Sequence, residues 1–220
     1  MNKKIAVILS GCGVFDGSEI YESILTLLYL DKAGAQVQCF APDMQQMHVV
    51  NHLTGDVAEN ESRNVLIEAA RLARGDIKNL DEAQVKDFDA VIIPGGFGAA
   101  KNLCNFATKG AALAVHEDLK QFVQAMCQAK KPVGAMCIAP AMAGKLFGKG
   151  VRFTIGNDKS TAQAIESTGA IHEVCTVHDI CIDEHNLLIT TPAYMLAKNI
   201  SEAAIGIEKL VEAVLARTKI

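Results

Sequence analysis

No stretch of this 220-residue sequence concentrates basic charge. Its 21 Lys and Arg are outnumbered by 25 Asp and Glu, a net charge of −4. That balance argues against nucleic-acid binding, which needs clustered cations to displace counterions. Long apolar runs are also missing. The longest, Ile24–Leu30, is broken by Thr26 and Tyr29 and falls short of the roughly 18 residues of a membrane span. The opening run Ile5–Leu9 is too short for a signal-peptide core, so a cytoplasmic protein is expected. The seven cysteines form no Cys-x-x-Cys pair. A zinc ribbon and a thioredoxin-like motif are thereby excluded, and reduced thiols are the natural state. His48 and His52 have the spacing of two ligands on a helix, but Asn51 and Thr54-Gly55 mark a loop and no third ligand is near, so no metal site is expected. There is no Gly-x-x-x-x-Gly-Lys-Ser/Thr, and Ser10-Gly11-Cys12-Gly13 falls short of a dinucleotide fingerprint.

What is present is alternation. Half of the residues are hydrophobic, and short apolar runs alternate with helical patterns, as in βαβ units around a mainly parallel sheet. Strands are expected at 4–10, 35–41, 88–94, 132–136, 151–155, 174–182 and 187–191. The first helix runs from about Ser18 to Lys32, with Ile20, Ile24, Leu27 and Leu28 facing inward and Gly34 as its stop. A polar loop or hairpin spans 42–61, and Ser62 caps a helix reaching Arg74. A later helix carries Val115, Leu119, Phe122, Val123 and Met126 on one face; another starts at Asp158 or Ser160 and closes at Gly169. The last is amphipathic, with Ile200, Ala203, Ala204, Ile207, Leu210, Val211 and Val214 on one stripe. No repeat or linker divides the chain, so a single domain over 1–220 is expected.

Three segments can carry chemistry. In Pro132-Val-Gly-Ala-Met-Cys137-Ile-Ala-Pro140 a strand meets a helix start within one residue of a cysteine, with Ala135 and Ala139 two positions to either side. A nucleophile elbow needs that arrangement, because bulky neighbours would collide in its sharp turn. A helix N-terminus also favours thiolate, lowering a thiol pKa to between about 3.5 and 7.5. The other reading of Cys137 is a buried thiol at a strand end. In the second segment, Pro94-Gly95-Gly96-Phe97-Gly98, glycines expose backbone N–H groups; that of Gly96 or Phe97, with that of Ile138, could form an oxyanion hole. The third, Gly11–Glu22, places Asp16, Glu19 and Glu22 at the entry to the first helix. On pattern alone these read as a dipole-complementing first turn and a solvated Glu22.

Taken in order, these segments, with Thr191-Pro-Ala-Tyr194 after the last strand, resemble the ThiJ/PfpI family, relatives of the class I glutamine amidotransferases. The resemblance covers nearly the whole chain. It implies an α/β, flavodoxin-like three-layer sandwich, usually dimeric, with no cofactor and, in one branch, a glutathione-independent glyoxalase activity. Residue by residue, Cys137 matches the family nucleophile and Gly96 the oxyanion glycine, and the family acid falls twelve residues before Gly34, at Glu22. The sequence departs from the pattern where relatives place a histidine: Thr190–Tyr194 and Thr154–Asp158 hold none.

The leading expectation is therefore conversion of a small aldehyde, glyoxal, to glycolate by Cys137 and Glu22, with Gly96 and Ile138 as oxyanion donors. Asp16, Asn102 and Tyr194 are candidate pocket residues, and 51–61 is a candidate lid. The alternatives are a redox or carbonyl-stress sensor, with Cys12 as resolving thiol, and an auxiliary protein of isoprenoid biosynthesis.

Overall fold

Hydrophobic residues follow one another without polar breaks in Ile5–Leu9 and Ala90–Ile93, and a strand carries such a run when both its faces are covered. The computed structural model, which describes residues 2–219, has this arrangement. Among those residues the strands are β1 (Lys4–Ile8), β2 (Gln36–Ala41), β3 (Ile77–Asn79), β4 (Ala90–Ile93), β5 (Val133–Met136), β6 (Arg152–Phe153), β7 (Ile171–His172), β8 (Cys181–Asp183) and β9 (Leu188–Thr191). The helices are α1 (Ile20–Lys32), α2 (Val65–Ala69), α3 (Phe97–Lys101), α4 (Phe106–Lys109), α5 (Glu117–Gln128), α6 (Ala143–Phe147), α7 (Lys159–Glu166) and α8 (Ile200–Ala216). Seven strands form one sheet in the order β3-β2-β1-β4-β5-β9-β8, parallel except for the β8–β9 hairpin at its edge. Ile5, Val7 and Leu9 face a layer built from α1, α2 and α8, whereas Ala6 and Ile8 face α5, α6 and α7. The result is a flavodoxin-like α/β sandwich.

From β1 the chain winds outward to β2, and from β4 it winds the other way to β5. The switch point therefore lies between β1 and β4, where open α/β sheets place ligands outside the carboxyl ends of the strands. Register sets Ile93 beside Ala135 and Met136 beside Thr191, so the loops that follow β4, β5 and β9 emerge together at that rim.

Four expectations are corrected. The strand expected at 151–155 leaves the main sheet and pairs with β7 in a separate two-stranded sheet. That expected at 174–182 shrinks to β8, because Thr176 and Asp179 hydrogen-bond into a turn at 2.7 Å. The helix expected from Ser62 to Arg74 shrinks to α2, capped by Asn64 rather than Ser62, whose hydroxyl accepts from Gln45. Most consequentially, α1 is turned over. Ile20, Tyr21, Ile24 and Leu28 are 41–48% exposed, while Glu22, Ser23, Leu25, Thr26 and Leu30 are buried. The inward polar groups are satisfied locally: the hydroxyls of Ser23 and Thr26 each donate to a carbonyl four residues back at 2.7 Å.

Candidate active site

β5 ends at Met136, and a turn of 3-10 helix spans Ala139–Met142 with Pro140 in its first turn. Between them Cys137 takes φ +57°, a left-handed conformation that costs an L-residue about 1–2 kcal/mol. Ala135 and Ala139, both buried, leave room for it. The N–H of Cys137 donates to the Thr191 carbonyl at 3.1 Å, tying the elbow to β9. Packing on both sides thus holds the strained turn, and the side chain is only 7% exposed.

Glu22 arrives from the opposite side. Glu19 caps α1, its carboxylate accepting from the Glu22 N–H at 2.7 Å. The Glu22 carboxyl is fully buried. Its Oε2 accepts from the Gly95 N–H at 2.8 Å and its Oε1 from the Tyr194 N–H at 3.0 Å. The Cys137 side chain lies beside this carboxyl. Gly95 makes this convergence possible, since a Cβ there would lie 2.4 Å from the Cys137 Cβ and 2.8 Å from Glu22 Oε2. Gly96 is equally constrained: its φ is +89°, and a Cβ would lie 2.3 Å from the Glu19 nitrogen. The N–H groups of Gly96 and Ile138 lie against the Cys137 sulfur. That of Phe97 is not available, because it donates to the Val14 carbonyl at 2.8 Å.

The electrostatics reverse one expectation. Burial raises the Cys137 thiol well above its ordinary value, with a further push from the Glu22 charge, and the two amides only partly oppose this. No helix of useful length begins at Cys137, so the low thiol pKa expected from a helix dipole is replaced by desolvation. Burial also lifts Glu22 from 4.5 to about 8; the Tyr194 N–H opposes the shift and the Glu19 charge adds to it. At neutral pH the two groups form a protonated, coupled pair.

The structure brings Cys137, Glu22, Gly96 and Ile138 together, and Tyr194 joins them both through its N–H and as part of a cavity wall. Asp16 and Asn102 are buried away from that wall and occupied with main-chain groups. Asp16 accepts from the Val50 N–H at 2.8 Å. Asn102 donates to the carbonyls of Ser10 and Asp16, each at 2.9 Å, and accepts from the Met47 N–H at 3.0 Å. The segment 51–61 contributes no residue to the cavity lining. At the two places where relatives put a histidine, threonines serve the backbone: in the first Thr190 accepts from the Thr154 N–H and Thr191 donates to the Asp179 carbonyl, and in the second Thr154 accepts from the Gly156 N–H. Among the described residues no cluster of three or more His, Cys, Asp or Glu could hold a metal ion. Sequence reasoning missed the amides of Gly95 and Tyr194 and the walls formed by Phe106, Thr161 and Met195. A backbone donor leaves no mark in a residue pattern, and these wall residues come from segments distant from the elbow in sequence.

Residues 3–154 match the DJ-1/PfpI family. The chain belongs to that family. A rat relative named ES1 protein homolog, mitochondrial, is 43% identical over 98% of this chain and 84% of its own length. A human relative named glutamine amidotransferase-like class 1 domain-containing protein 3, mitochondrial, is also 43% identical, over 98% of this chain and 83% of its own. Among solved structures, an isoprenoid biosynthesis protein with amidotransferase-like domain from Ehrlichia chaffeensis superposes with a TM-score of 0.91 at 35% identity, covering 98% of this chain and 99% of that one. The mitochondrial relatives overturn the cytoplasmic expectation. The apolar run on which it rested belongs to β1 of the sheet. No helix among the described residues is long and apolar enough to cross a membrane.

Proposed function

We propose that this protein is a cofactor-independent glyoxalase that converts glyoxal to glycolate through a hemithioacetal on Cys137. The observation that carries the reading is the fully buried Glu22 carboxyl placed beside the Cys137 thiol, next to the N–H groups of Gly96 and Ile138. The segments Ser10–Ile20, Asn51–Gly55 and Pro94–Leu103 also resemble the glyoxalase ElbB, which supports the same activity. Sulfur attacks one carbonyl carbon while ionised Glu22 takes the thiol proton, and the oxyanion forms against the two amides. Glu22 then moves a proton from the first carbon to the second. The first carbon is oxidised to a thioester, the second is reduced to an alcohol, and water releases glycolate. Glyoxal and one water enter, so no external oxidant is needed.

The test is glycolate formation by metal-free protein. Cys137→Ala should abolish turnover, and Glu22→Gln should lower it about 10²–10⁴-fold. Turnover retained in either variant overturns the assignment of that residue. The burial of Cys137, only 7% exposed, speaks against the sensor reading, since redox-sensing cysteines are solvent-accessible thiols. The exposed α1 stripe supports a homodimer: Ile20, Ile24 and Leu28 are spaced symmetrically about Ile24, so two antiparallel copies would pair Ile20 with Leu28 across a twofold axis.

A further inference from the structure

The cavity that opens from the Cys137 sulfur is larger and more apolar than a two-carbon dialdehyde requires. Its volume is about 380 Å³, within the roughly 300–1,000 Å³ of typical small-molecule sites. Glyoxal has four heavy atoms and needs on the order of 100 Å³, judged by the roughly 30 Å³ that each water occupies in the liquid. Val14, Phe97, Ala100, Phe106, Ile138 and Met195 supply the apolar wall. No lining residue carries a charged side chain. A carboxylate or phosphate entering this space would lose its water and gain no cation. Cys137, Gly96 and Ile138 are part of this lining, and the buried Glu22 carboxyl lies beside the thiol without lining the cavity itself.

We infer that this cavity holds the apolar acyl chain of an uncharged ester or thioester, and that Cys137 transfers that acyl group to water. The inference rests on Cys137 being a nucleophile and not on any dialdehyde chemistry. As the S–C bond forms, ionised Glu22 takes the thiol proton and the carbonyl oxygen becomes an oxyanion against Gly96 and Ile138. Collapse breaks the bond to the leaving oxygen or sulfur, which receives the proton back from Glu22. Water then attacks the acyl-cysteine, Glu22 accepting its proton; the C–S bond breaks and the proton returns to sulfur. The sum is ester plus water giving acid plus alcohol, with no change of oxidation state.

The test compares p-nitrophenyl acetate with p-nitrophenyl hexanoate, which share a leaving group and differ by four methylenes in the acyl chain. After subtraction of spontaneous hydrolysis, kcat/KM for the hexanoate should exceed that for the acetate at least about tenfold, the scale of methylene discrimination in apolar pockets. Mass spectrometry of a brief incubation should find the hexanoyl group on Cys137. Ala107→Phe, at an exposed position in the cavity lining, should lower the hexanoate-to-acetate ratio several-fold. Ala100→Leu tests the same point deeper in the wall. Equal or falling rates from acetate to hexanoate, or acylation at another cysteine, overturn the inference. Glyoxal turnover by the same preparation separates the two readings. If it persists without any chain-length preference, only the acyl site is lost; if Cys137→Ala leaves both turnovers intact, the nucleophile is lost as well.

Discussion

A single carboxyl sets the pH behaviour of the site. Glu22 holds its proton in the folded protein up to about pH 8 and would release it near 4.5 once exposed. Between those values the folded state binds more protons than the unfolded chain, so the slope of stability against pH is negative there. This residue's contribution is full below about pH 4.5 and is lost as pH rises through about 8. Chemical denaturation across that window should show wild-type stability declining with pH more steeply than that of Glu22→Gln. Identical slopes would place the carboxylate's proton elsewhere. Turnover should move the opposite way: because Glu22 must be ionised to take the thiol proton, kcat/KM for glyoxal should climb through about pH 8.

At the level of elements, three connections meet at one rim, and each is held by backbone hydrogen bonds that no residue pattern announces. The turn Pro192–Tyr194 directs one N–H at Glu22, the loop after β4 directs another, and the elbow after β5 brings the thiol. Gly95 is the point of closest approach. Gly95→Ala should destabilise the protein by about 1–3 kcal/mol through overpacking and lower turnover by separating Glu22 from Cys137; a variant as stable and as active as wild type would show that the contact is slack. The same crowding explains why α1 misleads. Its apolar residues follow a helical period, which predicts an inward stripe of Ile20, Ile24, Leu27 and Leu28, yet only Leu27 packs against the core, because the two amides waiting for Glu22 pull the opposite face inward. Periodicity in α5 and α8 is a safer guide because those helices cover the sheet and hold no catalytic group, although Ile200 at the start of α8 is 45% exposed and Val115 falls outside α5. Leu119, Phe122, Val123 and Met126 of α5 are all buried, as their spacing predicts.

For the whole molecule, the stripe displaced from the core becomes a surface that a second copy can cover. Sedimentation of the wild-type protein should report a dimer, and Ile24→Glu, at the centre of the symmetric pattern, should shift it to monomer. A wild-type monomer at micromolar concentration would refute the proposed pairing. The layered architecture itself was legible from the sequence. Strands buried on both faces must be continuously apolar, and a sharp elbow demands small residues beside Cys137; both are local requirements written directly into residue order. Which acid reaches the thiol, which amides face it, which side of α1 is wet and how raised the two pKa values become were decided only by tertiary packing. Those properties depend on desolvation and on hydrogen bonds between segments as far apart as residues 22 and 194, and neither quantity exists until the sheet has brought those segments to the same rim.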